Sequence, residues 1–174
     1  MPNWNEADIV IKGSKESLDR LAETSFDFQK IRPMPQELDE DSSGKNLGGR
    51  NWNKDDDKGT LESWCQNCKT DEERAEMKKH YEEYLVDFDT VCRWIDEYGV
   101  NGWYDWSIKN WGTKWNSSDV TLIRRSDEKL YVSFTTAWSL PVEILKFIEH
   151  KYQVTISGST LNEYDHVQRE FSNL

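Results

Sequence analysis

Residues 120–156 read VTLIRRSDEKLYVSFTTAWSLPVEILKFIEHKYQVTI. Val120 to Arg124 and Leu130 to Thr136 alternate apolar and polar side chains, the period of a strand with one buried face. Between them, Arg125-Ser126-Asp127-Glu128-Lys129 is charged and turn-like, so the two strands are expected to pair as a hairpin. Ser139-Leu140-Pro141 then opens a helix, because proline is tolerated in a first turn, and Leu145, Ile148 and Tyr152 share one face of it. Val154-Thr155-Ile156 returns to β-branched residues and predicts a last strand. The run is β-β-α-β.

The first 35 residues predict a β-α-β unit. Asp8 to Lys12 is short and β-branched, Gly13 and Ser14 break the strand and offer an N-cap, and Leu18, Leu21 and Ala22 fall on one helical face. Phe26-Asp27-Phe28 alternates and predicts a second strand, ended by Arg32-Pro33-Met34-Pro35, where proline cannot donate to a ladder. Together the two runs give an α+β fold: a ferredoxin-like split β-α-β sheet with an inserted acidic loop and one long helix.

The insertion is expected over residues 36–69, with glycines at 44, 48, 49 and 59 and the run Asp55-Asp56-Asp57. Such composition favours loop over packed core. Thr70-Asp71-Glu72-Glu73 matches a capping box, so a long helix is expected over 70–98. Met77, Tyr81, Tyr84, Phe88, Val91, Ile95 and Tyr98 step by three and four along its buried stripe, and Gly99 supplies the stop. The whole chain, 1–174, is expected to form a single domain.

Composition narrows the function classes. Lys and Arg number 22 against 33 Asp and Glu, a net charge of −11, which opposes phosphate backbones and anionic lipid. No apolar stretch reaches the length of a membrane span and no basic-apolar leader opens the chain, so it reads as a soluble cytoplasmic protein. An odd number of cysteines, Cys65, Cys68 and Cys92, cannot close a disulfide framework. Apolar residues make up 36%, but nine tryptophans lift the aromatic share to 13%, so burial is concentrated in large rings.

Those rings cluster at Trp103-Tyr104-Asp105-Trp106-Ser107-Ile108-Lys109-Asn110-Trp111-Gly112-Thr113-Lys114-Trp115. The intervals fit neither a clean strand nor an uninterrupted helix past Gly112, which predicts an irregular crossing. One reading is packing, with the rings wedged between the long helix and the sheet. The other is a partner-binding aromatic patch of Trp103, Tyr104, Asp105, Trp106, Asn110, Trp111, Lys114 and Trp115. The two can coexist.

This block resembles the signature of a family encoded by phages, plasmids and genomic islands that carries a ferredoxin-like domain. Met1-Pro2-Asn3-Trp4 is similar to that family's opening, Pro33-Met34-Pro35-Gln36-Glu37-Leu38 to its proline motif, and Ala137-Trp138-Ser139-Leu140-Pro141 to a later one. Asn5 stands where a cysteine is expected and Leu140 where a proline is. The resemblance implies a fold and a mobile-element setting, and no catalytic residues.

Other motifs fall short of a chemistry. Cys65-Gln66-Asn67-Cys68 is a CxxC without the second pair that zinc needs, and His80 and Cys92 sit about 120° apart around one helix. Two ordinary thiols are the favoured reading. Asp39-Glu40-Asp41-Ser42-Ser43-Gly44 matches the opening of a calcium loop, yet the twelfth position is Arg50, so no calcium site is expected there and a solvated acidic loop is. His80, His150 and His166 lack nucleophile partners and read as surface residues. No catalytic residue, metal or cofactor is nominated.

The expectation is therefore a non-enzymatic accessory protein of a phage or other mobile element that binds a host macromolecule. A nucleic-acid-binding defence protein is the partner class, as for an anti-CRISPR inhibitor, with nucleic-acid mimicry by an acidic helix face of Glu72, Glu73, Glu76, Glu82, Glu83 and Asp87. Two alternatives stay open. A single-stranded nucleic-acid-binding sheet would use Tyr131 and Phe134, which alternation sends to opposite faces. A small-molecule enzyme would need a Trp-lined pocket.

Overall fold

The computed structural model describes residues 3–42 and 58–172. The glycine-rich stretch at 44–49 and the Asp55-Asp56-Asp57 run of the expected insertion lie outside them. The elements are β1 (Trp4–Lys12), α1 (Lys15–Glu23), α2 (Phe28–Ile31), α3 (Gln36–Ser42), α4 (Leu61–Trp64), α5 (Asp71–Tyr98), α6 (Trp103–Trp111), β2 (Ser118–Ser126), β3 (Lys129–Ala137), α7 (Val142–Tyr152), β4 (Thr155–Asn162) and β5 (Gln168–Ser172). They fall into two compact units, one of Met1–Pro35 with Trp106–Leu174 and one of Gln36–Asp105.

The first unit is a five-stranded sheet of order β2-β3-β1-β4-β5. Every pairing is antiparallel. The β2-β3-β1-β4 order, with a helix after β1 and another between β3 and β4, is the ferredoxin-like arrangement. β1 is the spine, Ile9 lying opposite Val132 on one side and Gly158 on the other. Its alternation sorts Ala7, Ile9 and Ile11 to a buried face, where Leu130, Val132 and Phe134 of β3, Leu18 and Leu21 of α1 and Ile144, Leu145 and Ile148 of α7 are also buried. Gly158 is required by close approach, since a Cβ there would sit 2.2 Å from the Asp8 carbonyl oxygen.

Two expectations fail in this unit. Phe26-Asp27-Phe28 is no strand: Ser25 and Phe26 both take φ of 57°, and Asp27 caps the short helix α2 by accepting from the Gln29 amide. The backbone polar groups find side chains instead of a ladder. Asn116 Oδ1 accepts from the Phe28 amide at 2.8 Å, and the Ser117 hydroxyl donates to the Phe26 carbonyl at 2.6 Å. Both rings reach the core from this turn, 5.0 and 6.3 Å from the Phe134 ring, which is why a period of two appears without a strand. The sheet takes β2 in its place. The second failure is β5, which pairs with β4 and escapes a hydrophobic reading because Gln168–Ser172 holds a single large apolar residue, Phe171.

In the second unit the capping box forms as read, with Thr70 accepting from the Glu73 amide and Glu73 from the Thr70 amide. α5 ends at Gly99, whose φ of 68° is the left-handed cap conformation. Its stripe is buried at Phe88 and Val91 and half-buried at Met77, Tyr81, Tyr84, Ile95 and Tyr98, with Trp94 buried beside it. Trp64 of α4 packs on Tyr81 and Tyr84, ring centroids 5.3 and 5.1 Å apart. Residues 39–42, expected in a solvated acidic loop, belong to α3, and Asp41 is buried.

α3 is fastened to α5 by one carboxylate. Glu37 accepts from Arg93 Nη1 at 2.9 Å and Nη2 at 2.5 Å, from Trp94 Nε1 at 2.7 Å and from the Tyr98 hydroxyl at 2.7 Å. The Arg93 guanidinium first, with Trp94 and Tyr98 helping against burial, holds its pKa down to about 2 from an ordinary 4.5. A depressed carboxylate pKa gives stability that is complete above the unfolded value and is lost as pH falls toward the folded one. Acid titration of wild type should therefore lower the thermal midpoint progressively between about pH 4.5 and 2. Glu37→Gln should start less stable and lack that component; equal acid slopes in the two proteins would show that Glu37 is not the fastening.

Candidate functional site at the tryptophan end of the sheet

The alternation that buries Ala7 and Ile9 turns Trp4 outward at the first position of β1. The loop after α6 brings Trp115 beside it, ring centroids 6.3 Å apart, and the loop after β3 adds Trp138. The three indoles are 38%, 40% and 39% exposed. Lys114 ties two of them together, its ammonium 4.6 Å from the Trp115 ring and 5.7 Å from the Trp138 ring. Cation–π contact of this kind orients flat rings while leaving their outer faces in water.

Trp138 carries backbone strain. Its φ is 72°, a left-handed conformation that costs an L-residue roughly 1–2 kcal/mol. The conformation is held from both sides. The Trp138 amide donates to the Asn3 carbonyl at 2.8 Å, and its own carbonyl accepts a short bond from the Asn162 side-chain amide. Thr136 Oγ1 donates to the Ser139 carbonyl at 2.9 Å, and Thr113 Oγ1 to the Ala137 carbonyl at 2.9 Å.

The residues expected from sequence are distributed unevenly. Trp103–Trp111 is a helix, not an irregular crossing, because Trp103, Trp106, Asn110 and Trp111 all fall within about 140° of a helical wheel; irregular chain begins only at Gly112. Trp106, Asn110 and Trp111 are buried. Trp111 lies 5.5 Å from Trp106 and 6.1 Å from Phe28, and its Nε1 donates to the Arg32 carbonyl at 2.9 Å. Asn110 Nδ2 donates to the Trp106 carbonyl at 2.9 Å. These are core contacts. Lys114 and Trp115 are the members of the block that join the surface cluster, with Trp4 and Trp138. Trp103, Tyr104 and Asp105 belong to the Gln36–Asp105 unit, where the two rings meet edge to face at 5.8 Å and Asp105 is exposed.

On α5, Glu72, Glu76 and Glu83 are exposed and Asp87 half-buried, all within about 60° of one another around the helix. Glu82 points elsewhere, and the Glu73 carboxylate is occupied by the Lys69 and Thr70 amides at 2.6 and 3.2 Å. Lys78 and Lys79 stand 3.8 Å from Glu82 and Glu83, which dilutes the negative face. Cys65 is buried and Cys68 half-buried, with no disulfide between them. Burial, then the neighbouring Cys65, pushes the Cys68 thiol up, away from a reactive thiolate. Among the described residues no group of three or more His, Cys, Asp or Glu could hold a metal ion, and no helix is long and apolar enough to cross a membrane.

Residues 110–165 match the family model described as "Ferredoxin-like domain in Api92-like protein". That segment runs from the end of α6 through β4 and includes Trp115 and Trp138. The protein api92 from Yersinia pseudotuberculosis is similar in crystal structure, with a TM-score of 0.46, 9% identity, and coverage of 100% of this chain and 99% of that one. No curated protein matches the chain.

Replacing Trp138 by Gly and by Ala separates strain from packing, since both remove the same indole. Trp138→Gly should be the more stable variant by about 1 kcal/mol in denaturant melts, because glycine adopts positive φ freely. Equal stabilities would remove the strain from the account.

Proposed function

We propose that this chain is a partner-binding protein of a mobile element that acts by occupying a host macromolecule through Trp4, Trp115 and Trp138. One observation carries the reading: three indoles, each about two-fifths exposed, lie together at one end of a sheet, Trp115 and Trp138 against Lys114 and Trp4 against Trp115. Tryptophan is the residue most enriched in binding hot spots, and a monomer has little reason to gather three on one surface. The ring faces offer apolar area at small entropic cost because an indole has two side-chain torsions. Similarity to the ferredoxin-like domain of Api92-like proteins, and the mobile-element setting that the motifs imply, support a host target. The net charge of −11 favours a basic partner, such as a defence protein that grips nucleic acid, and an inhibitor of anti-CRISPR type acts in this way. Mimicry by the α5 face would add to such binding, although the lysines interleaved there reduce it.

The test is affinity capture from a host lysate with wild type and with Trp4→Ala/Trp115→Ala/Trp138→Ala. A specific partner should be retained by wild type and lost at least tenfold by the triple variant, as expected when hot-spot aromatics are truncated. Lys114→Ala, which leaves all three rings in place but removes the cation against Trp115 and Trp138, should weaken the same partner with an unchanged circular dichroism spectrum. No specific partner, or one indifferent to both variants, would overturn the reading.

A further inference from the structure

The face of the sheet turned away from α1 and α7 is a second surface, continuous with the tryptophan cluster through Trp4. Glu6, Asp8, Thr121 and Ser133 on it are exposed, as are Ile123 and Tyr131. An open groove of about 970 Å³ crosses it over all five strands, with Asp8, Val10, Tyr131, Ser133 and Ser159 among its lining. A smaller hollow of about 350 Å³, bounded by Trp4, Glu6, Asp119, Leu161 and Glu163, extends it to the tryptophan end.

The order of side chains along β1 fixes what the groove fits. On the open face it presents indole, carboxylate, carboxylate, aliphatic chain and ammonium at Trp4, Glu6, Asp8, Val10 and Lys12. Alternate residues of a strand lie about 7 Å apart, so Glu6 and Asp8 are spaced as alternate side chains of a second extended segment would be. Asp8 is flanked across the sheet by Ser133 and Ser159, with Glu170 opposite Ser159. Among the described residues none forms an ion pair with Glu6, Asp8 or Glu170. Val10 is flanked by Tyr131, itself beside Ile123, an apolar corner bordered by the Arg125 guanidinium, 5.6 Å from the Tyr131 ring. Lys12 lies opposite Lys129, and that basic end sets the limit of the acidic stretch.

We infer that this face receives an extended, basic segment of a partner protein. Two cationic side chains at alternate positions sit against Glu6 and Asp8, and an apolar side chain follows onto Val10, Ile123 and Tyr131. The inference rests on the proposed partner-binding role and supplies its chemistry. Charge complementarity selects the occupant: the carboxylates that attract lysine or arginine repel a phosphate backbone. A single-stranded nucleic acid, which Tyr131 could stack, is thereby disfavoured on this face.

The test uses the full chain, labelled for amide NMR, with three probes: the symmetric peptide acetyl-Val-Ser-Arg-Ser-Arg-Ser-Val-amide, its counterpart with glutamate for arginine, and a twelve-nucleotide oligothymidine. The basic peptide should shift the Asp8, Ser133 and Ser159 amides saturably, and the acidic peptide should not. Glu6→Lys/Asp8→Lys, two exposed positions, should weaken the response at least tenfold while the rest of the spectrum stays in place. No response to the basic peptide, a response unmoved by the charge reversal, or oligothymidine binding at these amides would overturn the inference. Lysate capture separates the two levels. A partner lost with the tryptophan variant but kept by Glu6→Lys/Asp8→Lys sinks the groove and leaves the patch, whereas a partner kept by both sinks the patch.

Discussion

Strand β1 is hydrogen-bonded on both sides, to β3 and to β4, and the rest of the first unit depends on that double pairing. Because side chains alternate with a period of two, a register set at Ile9 fixes every other position at once. Ala7, Ile9 and Ile11 must enter the core, and Trp4, Glu6 and Asp8 must leave it. The covered face satisfies the hydrophobic requirement of α1 and α7. The uncovered face is therefore free to vary in chemistry without disturbing the core.

That freedom is spent unevenly along the strand. At one end stand tryptophans, two of them against a lysine, then carboxylates, then an aliphatic and aromatic corner bordered by Arg125, then a basic pair. A surface with no partner would more commonly mix its charges and scatter its large apolar residues. At Trp138 the hydrogen bonds from Asn162 and to Asn3 hold the left-handed backbone that ends β3 beneath an exposed indole. In the second unit the corresponding structural effort goes into packing, with Glu37 gathering Arg93, Trp94 and Tyr98, while the acids of α5 remain in water among lysines.

Much of the fold was legible in the sequence because its elements obey local rules. The hairpin of β2 and β3, the Thr70–Glu73 capping box, the stripe from Met77 to Tyr98 and the proline-led helix α7 each have a signal within a few residues. Phe26 and Phe28 read as a strand because an aromatic pair spaced by two carries the same local pattern in a strand as in a turn, and the distinguishing partners, Asn116 and Ser117, lie far along the chain. β5 was missed because an edge strand with mostly polar residues has no hydrophobic period. The site was legible only in part. The Trp103–Trp115 block contributes Lys114 and Trp115 to the proposed surface, whereas Trp106 and Trp111 are buried, and Trp4 and Trp138 come near Lys114 and Trp115 only through the register of β1 and the turn after β3. No local pattern brings those residues together.

The most direct measurement of the central claim is a hydrogen-exchange footprint of the full chain with and without its captured partner. Protection confined to residues 3–10, 113–117, 131–139 and 157–161 is the predicted result, since these segments carry the tryptophans and the acidic groove. Protection confined to residues 71–98, with the sheet unchanged, would contradict the account and place the binding surface on the long helix.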